Sequence, residues 1–435
     1  MWRLGLRNWG RGVRGLCSSS SSSSSVSSSS AAFAARGLLA DEGDWSYCDE
    51  WWGEGDAGHT VFQSVSEHGN GLVSVVAYPS SRPLPEQWPD IERSIQERHE
   101  KIRSEVRDNG HLKILGYQWR VLRFNDNTRQ STAKVMAAYR KSDPGSLFLM
   151  QQPHCLAVPY LKSMVSAGLT TLATLGYDIF GAATGKSSMK VLCIGHGGGS
   201  LPLFLASKIR GAIVHIVDID PVVIAASVQA MGFPASAVKE RSDKFSFDQS
   251  LDADEVLWEG THERLFLYQS DAEDFVLKNS HIYDLVFIDA YDGDDIFPHK
   301  LWDQQGPFLE SLRSRVHPVH GTIVVNLHSD SEELSMETSD NSTAQSILPM
   351  GRYISQVCKA YKEQFGMAFS ISVPWLCNLT LVSCSGVSLG ASGRGTGIDK
   401  NLVLNALISK CYLVEYVLDL PFPCLPYIKR GFMLF

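Results

Sequence analysis

Residues 191–200 read VLCIGHGGGS, an apolar run followed by glycines at 195, 197, 198 and 199. Glycine takes positive φ at little cost, and without a Cβ it lets backbone amides come close to a ligand. Gly195, Gly197 and Gly199 form a G-x-G-x-G pattern, while Ser200 stands where a dinucleotide-binding G-x-G-x-x-G loop carries Gly or Ala. On its own the loop also fits a tight strand-to-helix turn with no ligand. Acids at the ends of the following apolar runs narrow the choice. VHIVDID ends with Asp218, 23 residues after Gly195, near the offset of a carboxylate that holds ribose hydroxyls. The next run is succeeded by Ser270, Asp271 and Ala272, where a carboxylate can accept from an adenine amino group. IDAYDGDD then places Asp289 and Asp292 at the mouth of the same crevice. Each acid singly fits a loop or a helix cap. In order, at successive strand ends, they point to a nucleoside ligand.

Those residues need a scaffold of alternating strands and helices, and from about residue 153 the pattern supplies one. PYLKSMVSAGLTTLATLG reads as helix, MKVLCIG as strand, LPLFLASKI as helix and VHIVDID as strand. VVIAASVQAMGF follows as helix, RLFLYQS as strand, DAEDFVLKN as helix, and YDLVFIDA and GTIVVNLHS as strands. Uninterrupted apolar strands between helices predict a parallel sheet covered on both faces, hence an α/β doubly wound domain with its ligand beyond the carboxyl ends of the strands. Upstream, LVSVVAY at 72–78 is a short apolar run. Residues 90–110 form a helix, with Asp90 as cap, Ile91, Ile95, Ile102 and Val106 as its stripe and Gly110 as its stop. LKILGYQWRVLRF at 112–124 reads as strand or hairpin, turned by Asn125, Asp126 and Asn127. Segments 238–262 and 329–345 are polar insertions, 385–396 is a flexible link, and the apolar tail after 411 has no role in this reading.

The order VLCIGHGGGSLPLFL, VDIDPVVI, SDAEDF and FIDAYD resembles the S-adenosylmethionine-dependent methyltransferase superfamily, and within it the spermidine synthase-like branch. The similarity covers roughly 153–330, with a weaker echo in RFNDNTRQS at 123–131. It implies a Rossmann-like class I methyltransferase sheet with a small β-containing N-terminal lead-in. It also implies that Gly195, Gly197 and Gly199 face the methionine part of S-adenosyl-L-methionine, Asp218 the ribose, and Asp271 with Ala272 the adenine. Asp289, which also borders the cofactor, and Asp292 match the acids that bind and deprotonate the acceptor amine in polyamine synthases. Tyr291 and His299 are secondary candidates. Cys193 stands where most methyltransferases carry an acid, a departure that the synthase-like branch shares.

Aminopropyltransferases of this branch carry an acid at the position of Gly198, suited to a decarboxylated, cationic cofactor; its absence favours the carboxylated form. Their Y-x-E acceptor motif maps onto Tyr160, Leu161 and Lys162, and a lysine suits a polyamine poorly. The expected function is methyl transfer to an amine or protein nitrogen. Aminopropyl transfer and a non-catalytic cofactor-binding module are the alternatives.

Residues 1–40 hold five arginines and no Asp, Glu or Lys, and residues 18–30 are serine apart from Val26. Arg3, Arg7, Arg11 and Arg14 share one helical face opposite Trp2, Leu6, Trp9, Val13 and Leu16, the pattern of a mitochondrial or plastid transit peptide; a disordered tail on a cytoplasmic protein is the other reading. The net charge is −8, and −13 without that segment, so no attraction to nucleic acid is expected. No run of about 18 uncharged apolar residues occurs, so no membrane partner is expected either. A homodimer is left open. Nine cysteines without C-x-x-C or His spacing predict reduced thiols and no metal site. The expected organisation is a transit peptide (1–40), a lead-in of helix and β-hairpin (41–150), the cofactor domain (151–384), and a Gly/Ser linker with a C-terminal tail (385–435).

Overall fold

The structure is a computed structural model, and it describes residues 58–80, 82–102, 111–125, 128–239, 251–258, 260–328, 351–374, 378–385 and 399–435. Residues 1–40, Val106, Gly110, Asp126, Asn127, the insertion at 329–345, residues 240–250 of the other insertion and 386–396 lie outside them.

The lead-in is a five-stranded antiparallel sheet in sequence order: β1 (His59–Val65), β2 (Leu72–Pro79), β3 (Leu112–Phe124), β4 (Thr128–Arg140) and β5 (Asp143–Gln151). Helix α1 (Trp88–Ile102) buries Ile95 of its expected stripe and partly buries Ile91, whereas Ile102 is exposed. Asp90 is not its cap: the helix begins two residues earlier, and Asp90 pairs with Arg93 in the first turn. Val73, Val75, Leu122, Phe124, Val135 and Leu149 form one apolar cluster with Val222, Val223, Ala226 and Met231, fixing this sheet to the main domain. The lead-in is therefore a full sheet rather than one hairpin.

The main sheet has eight strands. Its parallel part comprises β6 (Met189–Ile194), β7 (Ala212–Asp218), β8 (Leu265–Gln269), β9 (Leu285–Ile288) and β10 (Thr322–His328), in the spatial order β8-β7-β6-β9-β10. The order reverses between β6 and β9, where a crevice must open at the carboxyl ends. Alternate residues serve opposite cores. Val191, Cys193, Val214, Ile216, Leu285 and Phe287 face one, and Leu192, Ile194, Val217, Val286 and Ile288 the other. Both faces are covered, which is why these strands read as apolar runs. Helices α2 (Pro159–Thr174), α3 (Ile179–Thr184), α4 (Ser200–Lys208), α5 (Pro221–Gln229), α6 (Leu251–Trp258), α7 (Ala272–Lys278), α8 (Pro307–Arg315) and α9 (Arg352–Phe365) surround the sheet. At Gly168 of α2 a Cβ would stand 3.0 Å from Val324 and 3.1 Å from Leu285, so glycine sets how closely this helix approaches the strands. The doubly wound, Rossmann-like sheet is as expected.

The C-terminal region departs from expectation. β12 (Asn378–Ser385) pairs antiparallel with β10, β11 (Gly366–Ser372) with β12, and β13 (Met433–Leu434) with β11. Helix α10 (Lys400–Leu418) lies on α2 and buries Val403, Leu407, Cys411, Val414 and Leu418; the short α11 (Pro426–Lys429) follows. By length and composition α10 could cross a membrane, yet it puts its apolar stripe into the core of the domain. Phe422, Cys424, Tyr427, Ile428 and Phe432 are buried in that core too. The domain does not end at 384, and the apolar tail is its last layer.

Candidate active site

Strand β6 ends at Ile194, and the chain then reverses through three glycines of positive φ: Gly195 (+89°), Gly197 (+52°) and Gly199 (+79°). A Cβ on Gly195 would run into the carbonyl oxygen of Asp289, so only glycine lets the loop after β6 touch the end of β9. Gly195 N–H donates to Val217 O at 2.9 Å, drawing in the end of β7. There the Asp218 carboxylate ties the loop down: Oδ2 accepts from His196 N–H at 2.8 Å and Oδ1 from Asp220 N–H at 2.9 Å. Burial pushes Asp218 up to about 6, against the pull of the backbone amides of Asp220, His196 and Gly197.

The end of β9 brings Asp289. Its Oδ1 accepts from Asn326 Nδ2 at 2.9 Å. Burial raises its pKa above the usual carboxylate range, while Asn326, His328 and Tyr160 pull it back and Asp295 adds to the rise. Tyr160, at the start of α2, donates to Gln130 O at 3.3 Å; burial and the adjacent Asp289 hold its phenol well above the ordinary range.

These groups border one cavity of about 240 Å³. Of the residues expected from the sequence, Gly195, Gly197, Asp218, Asp271, Ala272, Asp289 and Asp292 line it. Gly199 does not: it precedes α4, and a Cβ there would strike the Phe233 ring, so its conformation serves packing. Asp271 lines the cavity with both oxygens engaged. Oδ1 caps α7 by accepting from Glu273 N–H (2.9 Å) and Asp274 N–H (3.3 Å), and Oδ2 pairs with Lys300. Partial burial pushes its pKa up, but Lys300 and the two amides outweigh that and hold it below the usual value. Asp271 is thus a helix cap and a part of the cavity wall at once. Asp292 likewise shapes its own loop, Oδ1 accepting from Asp294 N–H (3.0 Å) and Ile296 N–H (2.9 Å). His299 rests on Trp302 away from the cavity, whereas Tyr291 lines it and donates to Asn326 O at 3.0 Å.

Lys162 is buried on another face of α2, its ammonium 5.9 Å from the Phe422 ring centroid, so it does not touch the cavity and says nothing about polyamines. Gly198 is also off the cavity wall, and a Cβ there would lie 2.8 Å from Ser131 Oγ and against Met231.

Sequence reading missed the contributions from the lead-in. His68 and Asn70, in the turn between β1 and β2, line the cavity. Asn70 Nδ2 donates to Asp220 Oδ2 at 2.7 Å, and Gly69 O accepts from Gly293 N–H at 3.2 Å. The turn therefore straps the lip after β7 to the lip after β9. Its signal, the stretch HGNG, announces a turn and nothing about where it docks. From β4 come Gln130 and Ser131, and the buried Gln130 Nε2 has no hydrogen-bond partner among the described residues. With four carboxylates and Lys300 as its one ammonium, the described wall favours cationic ligands.

No protein-family model matches the chain, and no curated protein matches it. Among solved structures it is similar to human methyltransferase-like protein 13 in complex with SAH, at 18% identity over 60% of this chain and 93% of that one, with a TM-score of 0.39. A probable spermidine synthase from Corynebacterium glutamicum matches at 14% identity over 69% and 85%, TM-score 0.38. Spermidine synthase from Thermotoga maritima matches at 11% over 71% and 88%, TM-score 0.34.

Proposed function

We propose that the cavity binds S-adenosyl-L-methionine and that the protein transfers its methyl group to an amine or protein nitrogen. The observation that carries this reading is the convergence of the Gly195–Gly197 cradle, the Asp218 carboxylate and the buried Asp289 carboxylate on one cavity. The residues suit the ligand. A Cβ at Gly195 would strike the Asp289 carbonyl and part the loop from the end of β9, and Asp218 on the cavity wall can accept from a ribose diol.

Bound S-adenosylmethionine supplies an electrophilic methyl on a sulfonium, whose bond to sulfur breaks as the bond to nitrogen forms. The protein's part is placement and proton removal. Asp218 and the loop amides hold the nucleoside end, while the strap from Asn70 and Gly69 narrows the mouth. Asp289 orients the acceptor nitrogen and takes its proton; a carboxylate whose pKa burial has raised is the better base for that step. Asp292, on the same wall, shapes its loop through Oδ1.

The same proposal places the protein in a mitochondrion or plastid, on the arginine pattern of residues 1–40. It assigns the protein no nucleic-acid or membrane partner. The test is incubation of the full chain with methyl-labelled S-adenosylmethionine and fractionated organelle extract. Label on an amine or protein nitrogen supports the proposal. Saturable binding without transfer would leave a non-catalytic module, and preference for the decarboxylated compound would mark an aminopropyltransferase.

A further inference from the structure

Behind Asp289 lies a line of amides that no step above has used. Asn326, on β10, is 1% exposed and gives its Nδ2 to Asp289 Oδ1 at 2.9 Å. Its own Oδ1 accepts from Asn378 Nδ2 at 3.0 Å, and Asn378, at the start of β12, is 6% exposed. β10 and β12 are antiparallel with His328 opposite Asn378, so the two amides meet diagonally across adjacent strands. A buried amide can present either end to a neighbour. Here Asn378 occupies the carbonyl end of Asn326, which leaves only the N–H end for Asp289. An N–H donor supports a carboxylate and cannot receive a proton from a carboxylic acid, so the arrangement selects the ionised form.

We propose that Asn326, its amide held in one orientation by Asn378, is a positioning residue that keeps Asp289 ionised and aimed into the cavity. This inference rests on the methyltransferase reading above. The other groups around Asp289 are Tyr160 on α2, Cys193 on β6, Tyr291 and Asp295 on the loop after β9, and His328 at the end of β10. Burial holds Cys193 and Tyr291 neutral, with pKa values raised, and His328 pairs with Asp295 at 2.9 Å. Asn326 supplies the donor fixed by the strands themselves.

The test measures affinity of the full chain for S-adenosylmethionine and for S-adenosylhomocysteine by calorimetry between pH 5 and 8. The two probes share the nucleoside and differ in the charge on sulfur, so titration of Asp218 cancels in their affinity ratio, whereas the charge on Asp289 does not. In the wild type the ratio should swing toward the sulfonium as Asp289 ionises. Asn326→Leu should move that midpoint up by about one to two pH units, the size expected for losing one charge-assisted hydrogen bond. Asn378→Ser, which leaves Asn326 in place, should move it the same way by less. Asp289→Asn should flatten the curve. Equal weakening of both probes with an unmoved midpoint, in variants that melt cooperatively, would reduce Asn326 to a structural role and overturn the inference alone. Failure of either probe to bind the wild type would bring down the cofactor assignment and this inference together.

Discussion

Lowering the pH should release the nucleoside, through Asp218. This carboxylate is raised to about 6 by burial, so it is ionised above that value and neutral below it. A ribose diol donates to the ionised form. At pH 5, one unit below the midpoint, roughly a tenth of the carboxylate remains ionised, so affinity for S-adenosylhomocysteine should be about tenfold weaker than at pH 8, or ~1.4 kcal/mol. The neutral-sulfur probe is chosen because it is little affected by the charge on Asp289. His196, which burial pushes down to about 3, stays neutral throughout the range and adds no step. Asp218→Asn should bind more weakly at pH 8 by about 1–3 kcal/mol and lose the pH step, because its amide offers one acceptor where the carboxylate offers two. Titration calorimetry at pH 5, 6, 7 and 8 measures both effects. Equal affinity at pH 5 and pH 8, or a step that survives in Asp218→Asn, would refute the ribose assignment.

Gly195→Ala should cost at least ~2 kcal/mol in denaturant unfolding and abolish binding, since its Cβ meets the Asp289 carbonyl at a φ of +89°. Phe422→Ala should destabilise the domain by about 3–5 kcal/mol by the same measurement, because this ring stacks on Phe204 in the core; a change under ~1 kcal/mol would return residues 420–435 to the status of a tail. Lys300→Ala breaks a half-exposed ion pair, so stability should change by no more than ~1 kcal/mol, read from the melting temperature.

The parallel half of the sheet was legible in the sequence because both faces of its strands are buried, which writes continuous apolar runs, and because Gly195, Asp218, Asp271 and Asp289 on the cavity wall sit just where such runs stop. The antiparallel half was not. GMAFSIS and NLTLVSCS carry Ser370, Thr380 and Ser383 in buried positions, and the hydroxyls of the last two are satisfied internally. Thr380 Oγ1 donates to Ser163 Oγ at 2.7 Å and Ser383 Oγ to Met367 O at 2.8 Å, so the pattern looks polar where the strand is interior. Asp271 shows another limit. A carboxylate between a strand and a helix serves equally as a cap or a ligand contact, and the cap on Glu273 and Asp274 and the pair with Lys300 are visible only in the fold. Asn326 reads as filler within TIVVNLH, and His68 and Asn70 reach the cavity through a docking of sheets that local pattern does not encode.

The central claim is that the crevice between β6 and β9 is a nucleoside site. Equilibrium dialysis of the full chain against labelled S-adenosylmethionine, with unlabelled S-adenosylhomocysteine as competitor, tests it directly. One saturable site per chain, competed by the homocysteine compound and weakened by about 1–3 kcal/mol in Asp218→Asn at pH 8, is the expected result. A folded protein that takes up no label, or whose binding is indifferent to Gly195→Ala and Asp218→Asn, would contradict it.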